Sequence, residues 1–154
     1  MNTKKVEADF QLLATSIVSL DIKNTFLSYD ERTPGKKEID VGYYVRDIKS
    51  DEKLDKRLGA LDLKIVVTSE IENQKFSVEL IYRGLFSAPN HMEEQLFEKM
   101  LRLNGCASLY SMARAAVCSI SSQMFSVGNI VLPLVNFVRF HEIENETGES
   151  GVTE

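Results

Sequence analysis

The sequence is poor in the residues that do chemistry. It has no tryptophan, two histidines, two cysteines and three prolines. His91 and His141 lie far apart, each outside any recognisable motif, and read as surface or capping residues. There is no HExxH, no paired CxxC and no Cys/His cluster, so no metal site is expected. GxGxxG and GxxxxGK[ST] loops are absent, as is a GxSxG turn, so neither nucleotide binding nor a serine nucleophile has support. Cys106 and Cys118 sit in one expected helix. Twelve helical residues span about 18 Å, beyond disulfide reach. Both read as small buried thiols of a reducing compartment. Glu93 and Glu94 at a helix start are accounted for by the helix dipole. The expectation is a protein that is not an enzyme and needs no cofactor or metal.

Long apolar runs are missing too. Met1-Asn2-Thr3-Lys4-Lys5 leads into Val6-Glu7-Ala8-Asp9, which is not a signal core. Ile130 to Val138 is too short to span a bilayer and holds Pro133 and Asn136. These readings place the protein in the cytoplasm, without membrane insertion. A net charge of −5 argues against nucleic acid, whose phosphates require concentrated Lys and Arg. What remains is an ordinary globular composition, 44% apolar and 27% charged over 154 residues, enough for one domain with a real core.

The first half alternates at period two, the strand signature. Val18, Leu20, Ile22 and Phe26 form one expected inward face. Ile39, Val41, Tyr43 and Val45 form a second, after a break at Asp30 to Lys37 that contains Pro34-Gly35. The charged stretch Ser50 to Arg57 reads as a solvated loop. Leu61, Leu63, Ile65 and Val67 follow, then Phe76, Val78, Leu80 and Tyr82. Short connections predict an antiparallel meander of four strands. The period changes after Pro89. A short helix is predicted over 91–103, ended by Asn104-Gly105. A second runs from Cys106 to Phe125, with Leu109, Met112, Ala113, Ala116, Val117, Ile120 and Met124 as its apolar stripe. An extended apolar segment covers 130–137, and a short helix begins near Val138. Residues 1–141 read as one domain, and 142–154 as an acidic, disordered tail.

Between Leu103 and Val138 the one charged residue is Arg114. The long helix lacks the charged outer face an exposed helix normally carries. Ser108, Ser111, Ala115, Cys118, Ser119 and Ser122 occupy that side instead. A helix apolar or small all round is covered on both sides, one by its own sheet and the other by a second subunit. Leu109, Met112, Ala115, Cys118, Ser119 and Ser122 are the expected oligomer interface. Ile81 and Leu85 lie on the face opposite Phe76, Val78, Leu80 and Tyr82. Phe26, Tyr29, Tyr43, Tyr44 and Phe86 add aromatic area near strand ends, part of which can line grooves for another polypeptide.

Two motifs in the second half resemble the SecB protein-export chaperone family. Leu109-Tyr110-Ser111-Met112-Ala113-Arg114 is similar to that family's Leu-Phe-Pro-Tyr-Ala-Arg at the start of its long helix. Leu132-Pro133-Leu134-Val135-Asn136-Phe137 is similar to its Leu-Pro-Pro-hydrophobic-Asn-Phe, which follows the helix after a glycine turn. Phe76 to Phe86, ending Gly84-Leu85-Phe86, and Asp21-Ile22 match more weakly. The resemblance covers roughly residues 10 to 141. It implies an α+β fold: a four-stranded antiparallel sheet, meander or Greek-key-like, with one long helix and short flanking helices.

The resemblance also implies a homotetramer, a dimer of dimers with long helices between sheets. Unfolded polypeptide clients would be held in apolar grooves without nucleotide. By position, the groove falls at Tyr43, Val45, Tyr82, Phe86 and Phe137. In the export branch an acidic sheet face binds the basic tail of SecA, and Asp21 and Glu79 occupy matching positions. The match there is incomplete, with Thr25 and Ser77 in place of the family's second acid and its leucine, and Arg83 on the same face. In the helix motif Ser111 replaces proline and Met112 tyrosine. The expected role is an ATP-independent holdase in protein export. The alternatives are a relative dedicated to few clients, such as an antitoxin of a toxin–antitoxin system, and a scaffold oligomer without clients.

Overall fold

A computed structural model describes residues 8–32 and 35–147. Four long strands make one antiparallel sheet: β1 (Gln11–Asn24), β2 (Lys36–Asp51), β3 (Lys56–Ile71) and β4 (Gln74–Pro89). Their spatial order is β1-β4-β3-β2. Strands β2 to β4 are a hairpin meander. The chain between β1 and β2 crosses from one edge to the other, so the topology is a Greek key. The two hairpin turns each place an acidic residue in the left-handed region, Asp55 at φ 50° and Glu72 at φ 54°. The charged stretch expected as a loop is tighter than that, because Asp51 and Lys56 are already paired strand residues. Pro34 lies outside the described residues.

Alternation buries one face of the two central strands. Leu61, Leu63, Ile65 and Val67 on β3 and Phe76, Val78, Leu80 and Phe86 on β4 are nearly inaccessible to solvent. Burying each such side chain contributes about 1.5–3 kcal/mol relative to exposure. Strand β1 departs from the expected pattern. Its pairing with β4 shifts register between Leu12 and Ala14 and again between Ile17 and Ser19. Each bulge moves the side chains beyond it to the other face. Val18 falls in the second bulge, and Phe26 lies past the strand end. Leu20 and Ile22 do face the helix side, opposite Leu80 and Val78, yet remain exposed at 42% and 37%.

The helices differ from expectation at their junction. Helix α1 (Glu94–Met100) runs through a π-helical turn, Leu101–Gly105, directly into α2 (Cys106–Met124). Gly105 was expected to end a helix, but its backbone is helical, φ −62° and ψ −51°. A Cβ there would sit 3.1 Å from Leu61 and 3.4 Å from Phe86. The glycine serves close packing of helix on sheet rather than termination. The buried stripe of α2 is Cys106, Leu109, Tyr110, Ala113, Val117 and Ser121, rotated from the expected one. Met112 is exposed, and Ser121 is buried because its hydroxyl accepts from the Ile130 amide at 2.7 Å.

After α2 the chain reverses at Gly128, whose φ is 99°. Residues 130–136 then run extended beside α2, with Ile130 and Leu132 buried. Helix α3 (Phe137–Thr147) closes the fold. Glu142 to Thr147 are therefore helical where a disordered tail was expected; residues 148–154 lie outside the described residues. The crossover chain joins this region. Leu27 and Tyr29 exchange backbone hydrogen bonds with Ser126 and Val127, and Phe26 and Tyr29 pack edge-on against Phe76.

Candidate functional site: an uncovered apolar strip

Helix α2 lies over β3 and β4. Its Tyr110 and Arg114 flank holds the extended segment: the Tyr110 hydroxyl donates to the Pro133 carbonyl at 2.7 Å, and Arg114 Nε donates to the Leu132 carbonyl at 2.9 Å. Helix α3 covers β2 on that side, with Tyr43 ring-to-ring against Phe140 and His141. No helix covers β1. Ile17, Leu20 and Ile22 on its helix-side face stay exposed, and helical geometry turns Met112 and Ala116 to that same flank. The outer surface of α2 adds Ser108, Ser111, Ala115, Ser119 and Ser122, all exposed and uncharged. Together these residues form an apolar and small-residue strip with an open strand edge beside it.

The residues expected at the subunit contact divide. Met112, Ala115, Ser119 and Ser122 are exposed, and Cys118 is half-buried and accepts from Asn129. Leu109 is fully buried against the sheet, on the apolar stripe of α2 and not on its outer side. The residues expected in a client groove divide as well. Tyr82 is half-buried in a helix-side row that runs Ile17, Tyr82, Leu63, Tyr43 across the sheet. Tyr43 and Val45 are half-buried on β2. Phe86 is a core residue at 1% exposure, stacked on Phe10, and Phe137 is buried against Tyr110. Those two support the fold from inside and are not surface positions of the single chain.

On the opposite face of the sheet Asp21 and Glu79 are direct cross-strand partners. Glu79 also pairs with Lys64 at 3.1 Å, so half of that acidic pair is already neutralised. A second charge group was not anticipated. Asp62 accepts Nε and Nη2 of Arg83 at 2.7 and 2.9 Å, and Arg46 stands 3.7 Å away, its guanidinium over the Tyr44 ring. The two-bond fork from Arg83 fixes Asp62 and raises the Arg83 pKa. The signal was present as Asp62, Arg83, Arg46 and Tyr44 on outward positions, but only register aligns them.

A cleft of about 430 Å³ opens between α1, the π-helical turn and α3, lined by Tyr43, Glu98, Lys99, Arg102, His141 and Glu144 among others. His141, expected as a surface or capping residue, is largely buried, its side chain 14% exposed. Its Nδ1 is 2.9 Å from Glu144 Oε2 and its Nε2 is 2.6 Å from the Arg102 carbonyl. Burial, with the Glu144 charge adding to it, pushes the Tyr43 phenol up to about 12. The same causes in the same order push the buried Cys106 thiol up to about 12. Among the described residues no group of His, Cys, Asp and Glu is placed to hold a metal ion, and no helix is long and apolar enough to cross a membrane.

No family model and no curated protein sequence matches this chain. Solved structures do match. One is the Mycobacterium tuberculosis SecB-like chaperone Rv1957, in complex with a ChAD peptide from the HigA1 antitoxin. It aligns at TM-score 0.59 with 10% identity, over 83% of this chain and 91% of that one. The fold is SecB-like. A second match, a Streptococcus agalactiae protein of unknown function, aligns at TM-score 0.53 with 13% identity, over 80% and 96% of the two chains. The α+β architecture read from the sequence and implied by its motifs is the one observed.

Proposed function

We propose that this chain is a SecB-like chaperone that holds unfolded polypeptide by binding alone, without nucleotide, metal or covalent step. The observation that carries this reading is the uncovered strip of Ile17, Leu20, Ile22 and Met112 on a SecB-like fold. Apolar burial is non-directional, so such a surface accepts many sequences. The free edge of β1 offers backbone hydrogen bonds that are equally indifferent to sequence. The chain acts as a homotetramer, a dimer of dimers, in the cytoplasm. Exposed, uncharged Ala115, Ser119 and Ser122 support a subunit contact there, since small residues let two helices approach closely. Tyr43, Val45 and Tyr82 are the groove positions that reach the surface.

Within that role, a chaperone dedicated to few clients, antitoxins among them, is favoured over a general export holdase. One neighbour in fold is a chaperone seen with an antitoxin peptide. The acidic face for SecA is weak here: Glu79 is paired with Lys64, and Arg83 and Arg46 share that face. The test is light-scattering mass combined with suppression of aggregation of a chemically unfolded protein, without ATP. A tetramer that suppresses aggregation is expected. An oligomer with no effect on any unfolded protein would leave a scaffold, and a monomer with no effect would overturn the proposal. An antitoxin segment that binds more tightly than a generic unfolded chain would separate the dedicated role from export.

A further inference from the structure

On the face of the sheet away from the helices, Arg46 and Arg83 converge on one carboxylate. Asp62 accepts two hydrogen bonds from Arg83, and Arg46 Nε stops 3.7 Å short of it, beyond hydrogen-bond reach. That Nε is shut off from solvent and has no hydrogen-bond partner among the described residues. An unpaired buried donor in a native fold is costly and calls for an acceptor. The Arg46 side chain is 39% exposed, so its guanidinium can be reached from outside. The Tyr44 ring lies beneath that guanidinium at 5.2 Å and steadies it through its π face. Pairing across the sheet sets Tyr44, Asp62 and Arg83 in one row. Arg46 stands level with Leu85 on one side of this row, and Lys64 level with Ile81 on the other. A Cβ on Gly42, in the Lys64 row, meets nothing within 4 Å, so the space beside Tyr44 is open. Asp21, Glu79 and Asp40 share a further row, four strand residues or about 13 Å from that of Asp62. Lys64 is engaged at that end by Glu79. Asp47, in the β2 bulge, is close enough for its charge to act on Arg83.

We propose that Arg46 and Arg83 seat one carboxylate of a partner polypeptide, an Asp or Glu side chain that docks on this face beside Tyr44, Ile81 and Leu85. Two guanidiniums around one aspartate leave donors over. Arg83 gives Nε and Nη2 to Asp62, and Arg46 gives no hydrogen bond to it. A second carboxylate, arriving from solvent, takes those remaining donors in the planar fork geometry that arginine offers. The surroundings fit a polypeptide. Leu85 is 38% exposed and Ile81 half-buried, so apolar contact lies next to the cations, and Arg and Tyr are the residues that most often anchor protein interfaces. A polyanion such as nucleic acid does not fit, because Asp62 and Asp47 flank the cations and Asp21, Glu79 and Asp40 continue the same face. The polarity is the reverse of an acidic face that takes a basic tail. The seat also lies across the sheet from the apolar strip, and it does not rest on the chaperone reading.

Two capped peptides added to the full chain test it. One alternates leucine and glutamate, and the other has glutamine in place of each glutamate. Proton–nitrogen NMR of the arginine Nε–H groups reads the seat directly. At millimolar concentration the glutamate peptide is expected to move the Arg46 and Arg83 signals, and the glutamine peptide to leave them in place. Arg46→Gln should weaken the glutamate peptide by about tenfold or more, the effect of one charge-assisted hydrogen bond, with circular dichroism and light-scattering mass unchanged. Arg46→Lys keeps the charge and loses the fork, so it should recover only part of the affinity. Equal binding of the two peptides, an Arg46 signal that does not move, or wild-type affinity in Arg46→Gln overturns the seat. Inorganic phosphate that binds as tightly as the glutamate peptide overturns a polypeptide as its occupant. Aggregation suppression that persists in Arg46→Gln while peptide binding falls supports a docking face separate from the apolar strip. Peptide binding at the seat in a wild-type chain that suppresses no aggregation would overturn the chaperone reading and leave the seat standing.

Discussion

The Tyr110 hydroxyl and the Pro133 carbonyl are joined by a hydrogen bond of 2.7 Å. Each lies in one of the two motifs through which the sequence resembles the SecB family, and Arg114 to Leu132 makes a second bond between the same two stretches. The extended segment after α2 forms neither helix nor strand, so its backbone groups need side-chain partners. Tyr110 and Arg114 supply them. Removing either is expected to cost about 1 kcal/mol. For a chain of this size that lowers the melting temperature by about 2–4 °C. Tyr110→Phe and Arg114→Met, followed by thermal unfolding, check this. The double variant should depart from the sum, because Tyr110 and Arg114 are neighbours that hold adjacent carbonyls of one short segment.

How far the sequence revealed the fold depended on local pattern. Strands β3 and β4 were legible because period two is unbroken from Leu61 to Val67 and from Phe76 to Leu80. Strand β1 was legible as a strand but not in its facing, since register shifts at Leu12/Ala14 and Ile17/Ser19 are a property of pairing, not of one segment. Gly105 was misread because a glycine that ends a helix and one that lets a helix press on Phe86 look alike in sequence. The charge-free outer face of α2 was legible from composition. The Tyr43, His141 and Glu144 contact was not, because it joins residues about a hundred positions apart.

Gly128 is expected to be the least replaceable glycine. At φ 99° it adopts a conformation that L side chains rarely take. A Cβ built on it would stand 1.8 Å from the Tyr29 carbonyl oxygen, and backbone cannot step aside as a flexible side chain can. Gly128→Ala should destabilise by more than about 2 kcal/mol, combining backbone strain with the clash. Chemical denaturation of Gly128→Ala beside Gly42→Ala gives the contrast. A Cβ on Gly42 meets nothing within 4 Å, and the cost there should be small.

The buried thiol sets an alkaline limit. Burial raises Cys106 from an ordinary 9.0 to about 12, and burial raises Tyr43 from 10.0 to about 12 and Tyr110 in the same direction. In each case the native state holds a proton that the unfolded chain releases first. The stability this represents is complete below pH 9 and is lost as pH rises toward 12. Urea midpoints should therefore fall steadily above pH 9. At pH 8 a small alkylating reagent should label Cys118, which is half-buried, well before Cys106, which is fully buried. Equal labelling in the folded chain would contradict the packing of α2 on the sheet.

Phe86 and Tyr43 were expected to act alike as groove residues, and the structure separates them. Phe86→Ala removes a ring with 1% exposure that also stacks on Phe10 at 5.1 Å. Its cost should be about 3–5 kcal/mol, a large part of the total stability of a domain. Loss of client binding in that variant would report unfolding. Tyr43→Ser cuts a half-buried ring at the edge of the core and should leave the chain folded. Circular dichroism alongside the aggregation assay distinguishes the two. Weakened client binding in a folded Tyr43→Ser chain supports the groove position, and unchanged binding removes Tyr43 from it.

The outer face of α2 gives the sharpest prediction about assembly. Ala115 and Met112 are exposed in the single chain, so a charge there should change its stability by less than about 0.5 kcal/mol. In a helix-mediated oligomer the same charge is buried without a partner on each copy. Leaving a buried charge unpaired costs about 3–5 kcal/mol, and every 1.4 kcal/mol is about tenfold in the association constant. Ala115→Glu should therefore weaken assembly by two orders of magnitude or more and leave the circular dichroism spectrum unchanged. Concentration-dependent light scattering reads this directly. A variant that assembles as tightly as the wild type would mean that the subunits meet elsewhere. The free edge of β1, with Ile17 and Leu20 beside it, would then be the face to alter next, because no helix among the described residues covers it and both side chains are exposed.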